Sequence, residues 1–384
     1  MKLLNQAAAV TALNIRNLPQ RIGGSVVAVI GVAAVVLVFA AVLSMAAGFE
    51  RTMMAAGTED TAIIMRSGST AELNSGLSNE QALIISNAPG VMRDGDSAIT
   101  SFELYVVVDL RKQTTNEDAN APLRGVQAGA FDIRSNVKII EGRAFEEGKN
   151  ELVVGRAAQS QFSGLEIGDD IRFGQTTWTV VGVFEAGGSV SESELWTDLP
   201  VLQSMYRRGT SVQSVRVRLE TPGSITELSE ALADDPRLDV DVMTEKDYYS
   251  SQAAPLSQFI RIVGYPLTIL MAIGAIFGAL NSMYASVSVR GKEIATLRAL
   301  GFGPFSVLVS TIIESTLLSL IGGVLGGAVA FVVFNGFQVS TLNGASFSQV
   351  VFDFAVTPDL LMQGLIAALI IGLIGGFFPA LRAA

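Results

Sequence analysis

Neither cysteine nor histidine occurs in the chain. Without cysteine no disulfide can staple the fold, so any domain must rest on its own hydrophobic core. Without histidine the usual proton shuttle, the Ser-His and Cys-His nucleophile pairs and the commonest zinc ligand are gone, which excludes most hydrolase chemistry and nominates no catalytic or metal residue. A phosphate-binding loop is missing too: the stretch from Gly142 to Lys149 comes nearest, but its spacing is wrong and it continues into Asn150. No cofactor is therefore expected on this sequence, and if ATP is used, another chain binds it. Charge is scarce at 16% of residues, and 26 Lys and Arg face 36 Asp and Glu, a net charge of -10. A diffuse acidic excess of this kind reads as a solubility feature rather than a cation site, and no nucleic-acid partner is expected.

Apolar sequence, by contrast, comes in long runs. Residues 23–48, 262–289, 305–334 and 360–378 each carry enough apolar length to span a bilayer, which takes about 20 residues for ~30 Å of hydrocarbon. The first run is preceded by Lys2, Arg16 and Arg21 and ends on Ala46, Ala47 and Gly48, features shared with a signal peptide, yet it is much longer than the ~7–15 residues of such a segment. Basic residues flank the first span, fill the link between the second and third (Arg290, Lys292, Arg298 beside Glu293) and follow the fourth (Arg382), whereas the link between the third and fourth holds Asp353 and Asp359 and no Lys or Arg. The positive-inside rule then puts both termini in the cytoplasm and the long polar stretch outside. The expected fold class is a membrane protein of four transmembrane α-helices, one N-terminal and three C-terminal, with a large α+β extracytoplasmic domain. Its parts are an amphipathic N-terminal helix at the cytoplasmic surface (1–22), TM1 (23–48), the outer domain (49–260), TM2 (261–289), a cytoplasmic link (290–304), TM3 (305–334), a short outer loop (335–359), TM4 (360–378) and a tail (379–384).

Within the outer domain, residues 61–66 read as a strand, Ser78 as the N-cap of a short helix ended by Pro89-Gly90, and residues 102–110 as a strand followed by a mobile loop at 111–121. A β-rich subdomain is expected over about 123–219, with a hairpin turning at Gly174-Gln175 and acidic residues 185–198 in exposed loops. A strand at 215–219, a helix at 226–233 and a strand at 238–243 complete the domain, whose flanking αβ parts suggest that the β-rich part is an insertion.

Three features of the membrane part invite function. Between Gly291 and Gly301, Ile294, Leu297 and Leu300 recur at helical spacing with Glu293 and Arg298 on other faces. Such a segment could dock into a partner's groove or simply rest on anionic lipid through its basic residues. Glu314 is the one acid inside a span, and an intramembrane charge is by default a functional hypothesis. It lies where it could reach the interface or pair with a basic residue of the link; a structural or coupling role is preferred to proton transport, because no further relay member is in sight. Finally, Gly274 and Gly278, Gly322 and Gly326, Gly323 and Gly327, and Gly372 and Gly376 have the spacing that lets helix backbones approach closely.

The motifs Gly142-Arg143-Ala144-Phe145, Glu151-Leu152-Val153-Val154-Gly155, Gly164-Leu165-Glu166-Ile167-Gly168-Asp169-Asp170-Ile171 and Thr179-Val180-Val181-Gly182-Val183-Phe184 resemble the extracytoplasmic core of MacB-like permeases in order and spacing. The run from Arg290 through Gly291-Lys292-Glu293-Ile294-Ala295-Thr296-Leu297-Arg298-Ala299-Leu300 to Gly301, then Glu314, the paired glycines and Phe378-Pro379-Ala380-Leu381-Arg382, resemble the FtsX-like permease domains of ABC systems. The resemblance implies a permease that dimerises, binds a separate cytoplasmic ATPase carrying ATP and Mg, and passes the ATPase cycle to its outer domain as movement. It implies that Arg290, Lys292, Glu293, Ile294, Leu297, Arg298, Leu300 and Gly301 form the ATPase-coupling element, that Gly274 and Gly278 lie in a dimer seam, and that an adaptor protein meets the β-rich part. It also implies an ATPase supplied in trans and a C-terminal tail shortened after Arg382. The expected function, for a protein of the inner membrane, is export or extraction of a periplasmic or membrane-embedded lipid, lipoprotein, peptide or small hydrophobic substrate; a signalling permease that activates a hydrolase or sensor without transport is the alternative, and a membrane enzyme the least favoured.

Overall fold

The structure is a computed structural model that describes residues 2–17 and 22–384; Leu18 and Arg21, counted above in the N-terminal helix and among the cytoplasmic charges, lie outside the described residues. Two compact units emerge. One comprises the chain up to Gly48 with Ser257–Phe337 and Phe354–Ala384, the other Phe49–Leu256 with Gln338–Asp353.

The membrane unit is built on α1 (Lys2–Asn17), α2 (Ile22–Met54), α3 (Glu245–Val289), α4 (Gly291–Ala299), α5 (Pro304–Phe334) and α6 (Pro358–Ala383). Among the described residues four helices, α2, α3, α5 and α6, are long and apolar enough to cross a membrane. Their starts are set locally: Pro304 and Pro358 sit at the first helical turn, where a missing N–H costs nothing, and the Thr357 hydroxyl accepts from Leu360 N at 3.3 Å. Glycine decides how closely the spans approach. A Cβ on Gly322 would come within 2.7 Å of the Val29 carbonyl of α2, and one on Gly323 or Gly372 within 2.7 Å of Ala368 on α6 or Ser319 on α5. Gly326 likewise faces the Ala33 backbone. In lipid there is no hydrophobic drive between apolar helices, so this backbone proximity supplies the packing.

Two boundaries differ from the sequence reading. The helix that carries the second span starts well before it: α3 runs unbroken from Glu245, and Pro255 does not end it, although only its part from Ser257 on belongs to the membrane unit. Nor is 335–359 a bare loop, since β11 (Gln338–Asn343) and β12 (Ser348–Asp353) form a hairpin that groups with the outer unit. The N-terminal helix has a partner within the chain: α1 buries Ala7 and Val10 and packs along α5.

The outer unit is organised by one mixed sheet made from β1 (Thr61–Arg66), β2 (Thr100–Arg111), β3 (Asp118–Val126), β4 (Lys138–Gly142), β5 (Glu151–Gly155), β6 (Asp170–Phe173), β7 (Thr176–Glu185), β8 (Leu195–Asp198), β9 (Ser214–Arg218) and β10 (Val240–Thr244). The order is β10-β1-β9-β2-β3-β8-β5-β7-β4, with β6 on β7. The β-rich part is therefore not a detached subdomain. Strand β2 joins the two halves, pairing with β9 over residues 100–103 and with β3 over 104–111. The expected mobile loop at 111–121 is mostly hairpin, with Arg111 opposite Asp118; polar residues pair as well as apolar ones when only their backbone is needed. Residues 185–198 are the larger correction. Far from exposed, residues 189–198 are buried, with Leu195–Asp198 lying between β3 and β5.

The helix at Asn79–Ser86 does start at Ser78, whose hydroxyl accepts from Gln81 N while the Gln81 side chain accepts from Ser78 N, the reciprocal cap that the local sequence calls for. Alternation along the strands gives the sheet two unlike faces. Phe102, Leu104, Val106, Leu123, Leu195, Val215 and Val217 share one apolar core, while Glu103, Tyr105, Arg124, Ser214 and Arg216 point the other way and are buried too.

Gly326→Leu should overpack the α2–α5 contact and cost about 1–3 kcal/mol, read as a lowered unfolding midpoint of the purified chain in detergent. Gly31→Leu should leave that midpoint unchanged, because nothing lies within 4 Å of a Cβ built there; equal losses from both would show that glycine packing does not hold the unit together.

Candidate coupling site

The link between α3 and α5 folds as α4, a helix with defined ends. Arg290 breaks α3 with a near-zero ψ of 4°, and Gly301 closes α4 in the left-handed region at φ 92°. Phe302 N bonds the Leu297 carbonyl at 3.1 Å and Gly301 N the Arg298 carbonyl at 3.0 Å, the paired bonds of a glycine-terminated helix that few other residues could make without strain.

The residues nominated for coupling do not share one surface. Ile294 is half-buried and packs with Val287, Val307 and Ala383 of its own unit, Leu297 is half-buried, and Leu300 is exposed. Lys292, Glu293 and Arg298 are exposed, with Glu293 3.8 Å from Arg290, and Arg298 donates to the Ala384 carbonyl. The apolar stripe is thus divided: Ile294 anchors α4 to the spans, and the face left exposed is mixed, polar residues around Leu300.

Arg290 is withdrawn from that face altogether. It is 4% exposed, and its Nη1 donates to Glu314 Oε2 at 2.5 Å, while Glu314 is itself 4% exposed. Its Nη2 donates to the Asn14 side-chain oxygen, and the Asn14 amide donates to the Ser310 hydroxyl. One guanidinium therefore joins α1, the head of α4 and α5. Of the glycines singled out in the sequence, Gly322 and Gly326 contact α2 within the unit, whereas Gly274 and Gly278 meet nothing within 4 Å.

A larger ionic cluster lies in the outer unit, on the sheet face opposite the apolar core. Arg124 donates to Glu72 at 2.8 and 3.0 Å, to Glu103 at 2.8 Å and to Glu194 at 2.7 and 2.8 Å. Arg134 grips Glu103 at 2.7 and 2.8 Å, and Arg216 reaches Glu103 at 2.9 Å and Glu72 at 3.2 Å and also donates to Glu245. All seven groups are buried. Burial alone would push the Glu72 carboxyl up, but Arg124 and Arg216 outweigh it and hold it at about 2 instead of 4.5. Burial pushes the neighbouring Tyr249 hydroxyl up to about 12.

The sequence reading assigned these acids to solubility and missed the cluster. One signal was available: Glu103 interrupts the apolar run 102–110, and Arg124 and Arg216 interrupt two others. Charges of opposite sign inside separate strands mark a buried pair once those strands are known to be neighbours, and it is their adjacency that a single sequence does not reveal. No group of three or more His, Cys, Asp or Glu among the described residues could hold a metal ion.

Residues 26–235 match the family described as MacB-like periplasmic core domain, and residues 267–384 match FtsX-like permease C-terminal. Among curated proteins the chain is 27% identical over 327 residues to a macrolide export ATP-binding/permease protein MacB 1/2 of Paracoccus denitrificans, covering 79% of this chain and 46% of that one. It is 27% identical to MacB of Bdellovibrio bacteriovorus, with 70% and 43% covered, and 24% identical to an uncharacterized ABC transporter permease of Methanocaldococcus jannaschii, with 64% and 63% covered. The chain spans about half the length of the two MacB relatives. The crystal structure of the periplasmic region of MacB from Actinobacillus actinomycetemcomitans aligns with a TM-score of 0.38 at 17% identity, over 50% of this chain and 92% of that one.

Removing Arg124 from the ionic cluster, as in Arg124→Met, should destabilise the outer unit by about 3–5 kcal/mol, because three carboxylates lose their shared partner. Both tryptophans, Trp178 and Trp196, lie in this unit, so their fluorescence follows its unfolding. The same probe should show acid sensitivity of a stated sign. A carboxyl depressed from 4.5 to about 2 contributes stability in full above pH 4.5 and loses it as pH falls toward 2, so the unfolding midpoint should be flat near neutrality and drop below about pH 4.5; a midpoint that rises on acidification would contradict the assignment.

Proposed function

The chain belongs to the ABC transporter permeases that join a MacB-like periplasmic core domain to an FtsX-like permease domain, and on that premise we propose that it converts ATP hydrolysis on a cytoplasmic ATPase subunit into movement of its outer domain. The observation that carries the reading is the buried Arg290–Glu314 pair. A partner that pulls on the exposed side of α4 cannot displace it without moving α5, because Ile294 and Arg290 pin α4 at both an apolar and an ionic contact. Two spans, α2 and α3, also continue as unbroken helix past the ends of the membrane unit at Gly48 and Ser257, so displacement of a span has a covalent route into the outer domain.

In this reading both termini and α4 face the cytoplasm, where Lys292, Glu293, Arg298 and Leu300 meet the ATPase, and ATP and Mg stay on that partner. Two copies of the chain associate through α3. Support for this comes from its exposure: 17% of the apolar window of α3 is buried within the chain, against 39–44% for the other spans, and Gly274 and Gly278 lie open on it. The outer domain acts on an export or extraction substrate of lipid, lipoprotein, peptide or small hydrophobic character, a class that includes the macrolides named in the relatives, and meets an adaptor protein.

Glu293→Arg or Arg298→Glu should lower ATP-driven transport in vesicles at least tenfold while the permease still co-purifies with a second copy of itself; transport at the unmodified level would sink the coupling role of α4. Cysteines placed at Gly274 or Gly278 should crosslink two chains. The native chain has no cysteine to confuse the result, and failure to form dimers at both positions would remove α3 from the seam.

A further inference from the structure

Beside the ionic cluster the outer unit keeps a cavity of about 30 Å³, walled by Glu72, Tyr105, Arg124, Glu194, Gln252 and Gln349 among others. That exceeds the ~10–15 Å³ that one water needs. Two of its lining groups are left without partners, the Oε1 atoms of Gln252 and Gln349, both buried. Gln252 is only 8% exposed, and its Nε2 donates to the Thr70 carbonyl at 2.6 Å, which identifies the unpartnered end of the amide as its oxygen. A buried acceptor without a donor is rare in a folded protein and calls for an occupant.

Charge points to what the occupant is. The cluster contains the three guanidinium groups of Arg124, Arg134 and Arg216 and the four carboxylates of Glu72, Glu103, Glu194 and Glu245, which leaves one negative charge uncompensated among buried groups. The cavity wall repeats the imbalance: its charged residues are Glu72 and Glu194 against Arg124. An unneutralised charge away from water is far more costly than an unpaired neutral group. Water would satisfy the two amide oxygens but leave the charge. An anion would add to it. A divalent cation would overshoot by one charge, and hard divalent ions take several carboxylate ligands of their own, which the carboxylates here, already engaged by arginine, do not supply.

We propose that this cavity binds one monovalent metal cation, Na⁺ or K⁺, through the side-chain oxygens of Gln252 and Gln349 in the field of Glu72 and Glu194. The site takes one ligand from the first turns of α3 and another from the β11–β12 hairpin, so an occupied site fastens two segments far apart in sequence onto the polar face of the sheet. Its effect is structural stabilisation of the outer unit that depends on the cation present.

The test uses the full chain in detergent, with tryptophan fluorescence as the probe and chloride salts of Na⁺, K⁺ and choline compared at one ionic strength. A ligand that binds only the folded state raises the midpoint with its concentration, so NaCl or KCl should raise it saturably over choline chloride, and the better of the two identifies the ion. Gln252→Leu should weaken the apparent cation affinity at least tenfold. Gln252→Glu, which adds a second negative charge, should strengthen it, a result that mere packing at this position would not produce. Equal midpoints in the three salts for the unmodified chain, or an unaltered cation response in Gln252→Glu, would overturn the proposal and leave water as the occupant.

Discussion

The guanidinium of Arg124 is the group around which the outer domain is built. Its five N–H donors are all spent, on Glu72, Glu103 and Glu194, and no other side chain offers five donors in one rigid plane. Each carboxylate arrives from a different part of the chain: Glu72 from the turn after β1, Glu103 from β2, Glu194 from the segment entering β8. Arg216 on β9 extends the cluster to Glu245, the first residue of α3. Segments spread over most of the outer unit therefore converge on one charge network, in a domain that has no disulfide to do the same task.

The Arg290–Glu314 pair repeats this arrangement on a smaller scale in the membrane unit. There too a buried arginine reaches several elements at once, and an amide, that of Asn14, fills the donor–acceptor positions left over. Buried pairs of this kind add little stability compared with an apolar replacement, but losing one partner is severe. Their contribution is to make one geometry much better than its neighbours. If displacement passes from α4 to α5 as proposed, an all-or-none contact serves better than a greasy one that can slide.

Much of the architecture was legible in the residues, because the membrane imposes a length and an apolarity that few other environments demand. The four spans, the capped helix after Ser78 and the β6–β7 hairpin all follow from local rules. What was not legible depends on partners far away in sequence. Residues 185–198 carry four acids and look solvated, yet Glu192 caps backbone N–H groups of Ala186 and Gly188 and Glu194 meets Arg124. The hairpin at 338–353 was hidden for a different reason: a short segment between two spans invites assignment as a loop, and its burial comes from the outer unit rather than from any pattern of its own. In the link, the spacing of Ile294, Leu297 and Leu300 was read as one face, but the kink at Arg290 turns Ile294 toward its own spans and leaves Leu300 outside.

The two faces of the outer sheet explain why the ionic cluster sits where it does. An apolar face by itself specifies register weakly, since sliding Phe102, Leu104 and Val106 by two residues along β9 and β3 would exchange one aliphatic contact for another. The opposite face removes that freedom. Tyr105 lies directly across from Arg124, and Glu103 from Ser214, so a slip of two residues would separate Glu103 from all three arginines, and a slip of one would turn it into the apolar core. Both alternatives strand a buried charge. The apolar face supplies the drive to collapse and the ionic face selects which collapsed arrangement survives, so that β2, the strand shared by both halves of the sheet, is held in a single register over its whole length.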